Sequence, residues 1–163
     1  MSRYDCDGDG DGPEYNNAWE LHEQAGINAL RGKRGQAILK ELEVALLALP
    51  EKKLLHGNLA KGGGVCAIGA LALKRRMEAG DARDAALKWM EEQVDPEDCE
   101  GWGEQTQWFA KKHLGVVRAL AYKISYQNDE GDEKRHERGR KETDEERWER
   151  VLAWVRSQMV GAS

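Results

Sequence analysis

Phenylalanine is almost missing from this 163-residue chain: there is one, against six tryptophans. The large pieces of a core therefore have to be mostly indoles, each needing a partner for its N–H or a place at the core's edge. Cysteine is scarce as well. Cys6, Cys66 and Cys99 are an odd number without CxxC spacing, which argues against a secreted disulfide scaffold and for a reducing cytoplasm. No uninterrupted apolar run is long enough to span a membrane. The acidic, glycine-rich start has no basic stretch followed by an apolar one, so it does not read as a signal peptide. Nor is basic charge in excess: 25 Lys and Arg stand against 30 Asp and Glu, a net charge of -5. That balance argues against a purely electrostatic nucleic-acid binder, although a local basic patch can persist on an acidic protein.

What is present is helical signal. Hydrophobic residues make up 40% and charged residues 34%, with a mean hydropathy of -0.78, as for one modest core under a charged surface. Residues 1–15 read as an acidic Gly/Asp-rich flexible tail and 16–160 as a single helical domain. Within the tail, Asp5, Asp7 and Asp9 have the spacing of the start of an EF-hand loop. Asn16 stands where the loop's bidentate Glu is required, so these are candidate cation ligands and no more. Asn17 can cap a helix running to about Leu30. Leu39, Leu42, Leu46 and Leu49 form one stripe of a second helix, from about Gly35, stopped by Pro50. Further helices are predicted over 65–76, 81–92, 102–112 and 114–126. Thr143 to Glu146 is a capping box, and Trp148, Val151, Leu152, Val155 and Met159 mark the last apolar face. The polar stretch 128–141 reads as a mobile charged loop. Strand signal is confined to a weak pair around Leu54-Leu55 and Leu59. The expected fold is all-α with at most one very short hairpin, a compact irregular bundle of about six or seven helices.

The stretch from Gly62 to Leu71 carries two readings. A glycine run feeds into small apolar residues with Cys66 where a helix would begin. Unpaired N–H groups and a positive helix dipole there would favour a thiolate nucleophile. Its base and orienting group would come from His56, His113 or Asn128-Asp129. A tightly packed turn would also put its smallest residues there, with Cys66 as a small buried hydrophobe. Gly62, Gly64 and Ala67 nominally fit the dinucleotide pattern G-x-G-x-x-A, but a buried strand does not precede them, and Lys61 precedes where a Walker lysine follows. The four histidines lack metal-ligand spacing, and no cofactor is expected. Arg31, Lys33 and Arg34 form a basic loop at a helix start, where positive charge opposes the dipole. It is therefore a candidate anion or nucleic-acid site, unless Glu20, Glu23 or acidic segments elsewhere neutralise it. Residues 109–126 resemble a helix-turn-helix, with Arg118, Tyr122 and Lys123 as the few base-reading groups.

Three segments taken together resemble a family of small uncharacterised proteins encoded by tailed phages and prophages of Gram-negative bacteria. They are Arg31 to Lys52, the Gly64-Val65-Cys66-Ala67-Ile68-Gly69-Ala70 step, and the end with Tyr126 to Glu130 and Glu142 to Trp148. The resemblance implies a phage accessory gene and brings no catalytic residue with it. The expectation is a cytoplasmic accessory protein that binds a bacterial host or phage macromolecule, most concretely a stoichiometric inhibitor of a bacterial defence or host-control system. A DNA-binding regulator using 109–126 and a cysteine-dependent enzyme using Cys66 are the alternatives.

Overall fold

A computed structural model describes residues 13–93 and 104–161. The Asp5, Asp7 and Asp9 ligand set lies outside them. Within them the fold is all-α with one tiny antiparallel hairpin, as the periodicity predicts.

Helices α1 (Pro13–Arg31) and α2 (Lys33–Ala48) are separated by Gly32 alone, which is extended at φ -68° and ψ 161°. The elbow is tight because Gly35 lets the first turn of α2 lie against the end of α1. A Cβ at Gly35 would fall 1.8 Å from the Ala29 carbonyl oxygen. Helix α1 starts at Pro13 and not after Asn17, so it takes in the last residues of the predicted tail. The leucine stripe of α2 is buried as expected, and Lys52 reaches back to donate to the Leu49 carbonyl at 2.7 Å, next to the negative end of the helix.

The hairpin forms one step later than predicted. Strands β1 (Ala60–Lys61) and β2 (Gly64–Val65) pair antiparallel, and the pair around 54–55 and 59 does not form the ladder. Gly62 and Gly63 decide the position. Both have positive φ, +58° and +86°, the backbone of a two-residue type I′ turn whose twist suits a hairpin. Leu55 does join the arrangement, donating its N–H to the Val65 carbonyl at 2.9 Å.

Helix α3 (Ala67–Glu78) comes directly after the hairpin, and seven consecutive residues from Ala67 to Leu73 are buried. It is the central helix, packed by α2, by α4 (Arg83–Glu92) and by α6 (Arg118–Glu130). Between these last two, α5 (Glu104–Phe109) passes into a π-helical turn, Ala110–Leu114, closed by left-handed Gly115. A four-residue helix, α7 (Arg135–Arg138), precedes α8 (Asp144–Gln158), which starts with both bonds of the Thr143/Glu146 capping box.

Two expectations are corrected. The core is leucine and alanine with Phe109 at its centre, 1% exposed. Trp89, Trp148 and Trp154 sit partly buried at its edge, and the Trp148 indole N–H donates to the Leu46 carbonyl. The edge positions and the partnered N–H are as the sequence suggests; what is corrected is that the largest fully buried side chains are Phe109 and aliphatic residues, not indoles. Second, 128–141 is not one loop. Helix α6 runs on to Glu130 with Asn128 buried, and Arg138–Asp132 and Arg140–Glu146 pairs tie down the chain between α6 and α8. Most of 133–141 is exposed, as the composition suggests; what composition does not show is the end of α6 before it and the helical turn of α7 within it.

Candidate functional site at the glycine hairpin

Cys66 is the N-cap of α3, as the sequence suggests, and its Sγ accepts the Gly69 N–H at 3.4 Å. The local helix-terminus effect on the thiol is thus present. Burial outweighs it: Cys66 is 5% exposed, and removal of the thiolate from water, with a smaller push from the Asp129 carboxylate, raises its pKa to about 12. At neutral pH this is a thiol in a closed site, the environment of a structural cysteine.

The other members of the suggested constellation are only partly brought together. Asn128, 1% exposed, comes to the start of α3 and accepts the Ala67 N–H at 3.0 Å through Oδ1. Its Nδ2 donates to the Leu55 carbonyl and to Asp129 Oδ1, both at 2.8 Å. Asp129 in turn accepts the Gly57 N–H at 2.9 Å. This pair thus stitches α6 to α3 and to the 55–57 segment through backbone groups, and none of these bonds reaches an imidazole. His56 is exposed at a neighbouring cleft. His113 is elsewhere, on the π-helical turn, with ring centroids 4.9 Å from Phe109 and 5.0 Å from Trp89. Desolvation, then Lys112 and Arg76, lower its pKa.

One open cleft adjoins the hairpin and a second lies at the end of α6. The first, of about 450 Å³, lies between the glycine turn, Arg83 and the segment after α2. The other, of about 490 Å³, is bordered by His56, Asp129, Asp132, His136 and the buried Arg147. Arg147 donates to the Leu54 carbonyl at 2.7 Å and lies 3.2 Å from Glu142, which Arg150 grips through both oxygens. Glu142 and Arg147 fall in a segment marked by the resemblance but without a role of their own, and no signal marked Arg83, whose bonded partner is a backbone carbonyl 20 residues away. Among the described residues no group of three His, Cys, Asp or Glu is placed to hold a metal ion.

The basic candidates are divided between two environments. Arg31, Lys33 and Arg34 are exposed at the α1–α2 elbow, without an ion pair to any described residue. Glu23, one suggested neutraliser, bonds instead to Lys123. Lys123 therefore lies under α1, its methylenes so close to Gly26 that a Cβ there would come within 2.7 Å. Tyr122 meets His22 edge-on at 4.5 Å, and Arg118 donates weakly to Gln107 at 3.4 Å. The helix suggested for base reading is packed against α1, α3, α5 and α8, and two of its three readers are engaged by α1.

Compared with known protein families, curated proteins and solved structures, the chain matches none. No described helix is long and apolar enough to cross a membrane.

The thiol environment makes a direct prediction. In a Cys6→Ser, Cys99→Ser background, Cys66 should react with iodoacetamide at neutral pH at least ~100-fold more slowly than after unfolding in urea. Because its pKa is raised above the ordinary value, the unfolded chain ionises first, so its contribution to stability should fall as pH rises above ~9. Fast alkylation of the folded protein would contradict the closed site. Cys66→Ala should cost only about 1 kcal/mol, one weak cap bond and a small buried volume.

Proposed function

We propose that this chain is a phage- or prophage-encoded accessory protein that acts in the cytoplasm of the bacterial host by binding a macromolecular partner. Its most concrete form is stoichiometric inhibition of a bacterial defence or host-control system. The observation that carries the reading is the exposure of Trp19 and Trp108, 55% and 50%, while Trp89, Trp148 and Trp154 pack on the core. Trp108 is braced, with Lys112 4.7 Å over its ring and His113 edge-on. Exposed, pre-oriented indoles are the commonest anchors of protein interfaces, where burial of one ring is worth about 2 kcal/mol or more. Leu21, Val117 and Tyr126 add exposed apolar area on α1 and α6. The net charge of -5 suits a partner with a basic surface, which it would approach with electrostatic steering. The sealed Cys66 thiol and the resemblance to phage proteins point the same way.

The test is affinity capture from host lysate with the tagged chain, quantified by mass spectrometry. One host or phage protein should be retained near 1:1, and Trp19→Ser with Trp108→Ser should weaken its capture at least ~30-fold. If nothing exceeds background, the binding reading fails; if the double variant captures as well as the parent, the indoles are not the anchors.

A further inference from the structure

We propose that the cleft between the glycine turn and the start of α4 binds a carboxylate-bearing peptide segment, with the acidic side chain flanked by an aliphatic one. This rests on the protein-binding reading above and names the chemistry of one contact. The cleft measures about 450 Å³, within the range of small-ligand sites. Leu49, Pro50, Leu55 and Val65 give it an apolar side, and Lys61 and Arg83 a cationic one.

The cations are what call for a ligand. Arg83 is half-buried and its Nη2 donates to the Gly63 carbonyl at 3.2 Å, which fixes the guanidinium against the turn. Its Nε is shut from solvent with no hydrogen-bond partner among the described residues. No described carboxylate pairs with Arg83 or with Lys61, whereas the other charges at the cleft are satisfied among themselves. Lys53 stands 3.8 Å from Glu51 and 3.4 Å from Glu145, and Asp144 is bonded to Arg147 at 2.8 Å. This half-buried guanidinium has no counter-ion among the described residues, and an incoming carboxylate meets it at its Nη edge with charge-assisted bonds, the enclosed Nε lying out of a ligand's reach. The turn leaves the approach open, since a Cβ at Gly62 or Gly63 would meet nothing within 4 Å. The lining charges, Lys53, Lys61 and Arg83 against Glu51 and Asp144, leave one positive charge in excess. One carboxylate balances it and a phosphate dianion exceeds it, and the aliphatic side accepts a Leu or Val that a bare anion lacks.

The test is an NMR titration of the full chain with a blocked Leu-Glu-Leu tripeptide, against Leu-Gln-Leu and inorganic phosphate. Leu-Glu-Leu should produce saturable shifts of the Gly62, Gly63 and Gly64 amides and of the Arg83 Nε–H below about 10 mM. Leu-Gln-Leu and phosphate should each bind at least ~10-fold more weakly. Arg83→Gln should abolish saturation, and Lys61→Gln, at an exposed position, should weaken it ~3-fold with unchanged melting. Absence of saturable shifts, equal binding of the Gln peptide, tighter binding of phosphate, or an unchanged Lys61→Gln titration overturns the proposal. If Arg83→Gln does not fold, the peptide pair and Lys61→Gln still decide. The two readings fail separately. A partner captured equally by wild type and Lys61→Gln, with no peptide titration, sinks this contact alone. A clean titration with nothing captured from lysate sinks the accessory-protein reading alone.

Discussion

Gly69→Ala is expected to destabilise the protein by about 3 kcal/mol and lower its melting temperature by roughly 10 °C, although alanine is the better helix former by about 1 kcal/mol. Gly69 is in the first turn of α3, with the hairpin lying across it. An added Cβ would fall 2.2 Å from the Leu59 carbonyl oxygen and 3.0 Å from the Val65 Cβ. The first of these atoms is backbone and has no rotamer to escape into. It is also the acceptor of the Cys66 N–H at 3.1 Å, so moving it away breaks a bond at the very residue that caps α3. The clash therefore spreads from one methyl group to the hairpin, the cap and the packing of Leu59, which is 3% exposed. Gly69→Leu, with three more carbons to place, should fail to fold. Urea denaturation checks both, and an alanine variant as stable as the parent would show that the hairpin does not approach α3 this closely.

That close approach was legible in the sequence, and the reason is local. A run of small residues after three glycines has few uses, and the capping position of Cys66, the leucine stripe of α2, the stop at Pro50 and the capping box of α8 are all written in spacings of four residues or fewer. What could not be read depends on partners far along the chain. The pKa of Cys66 is set by burial beneath segments that the helix-start pattern does not include. Asn128 looked like loop or like a catalytic orienter, because nothing nearby says that its partners are Ala67 and Leu55, 61 and 73 residues away. Lys123 looked like a base reader until α1 covered it with Glu23, 100 residues away. Arg83 is one cation among 25, and only the turn opposite it sets it apart.

Asn128→Ala should cost more than Gly69→Ala, about 4 kcal/mol, because it strands several groups at once. The asparagine is 1% exposed, so the Ala67 N–H and the Leu55 carbonyl would lose their partners where water does not replace them, at about 1–3 kcal/mol each. The loss falls at the start of α3, whose first N–H groups have no acceptor within the helix. Cys66 Sγ serves Gly69, and Asn128 serves Ala67. The Ala67 amide should therefore exchange with solvent orders of magnitude faster in the variant, along with those of the hairpin. Asn128→Asp separates geometry from charge. It keeps an acceptor for Ala67, but turns an oxygen toward the Leu55 carbonyl and places a second carboxylate beside Asp129. That buried carboxyl would have its pKa raised by desolvation and by its neighbour, so the folded state binds the proton more tightly than the unfolded one. Its stability should be lowest at neutral pH and recover as the pH falls through that raised pKa toward the ordinary carboxylate range, the opposite of ordinary acid denaturation. If Asn128→Asp matches the parent at pH 7, the amide does not donate to Leu55 and the stitch is wrong. If both variants fall while Cys66→Ala stays mild, the glycine–cysteine junction is held by the asparagine that reaches it from α6, and the thiol is its least demanding part.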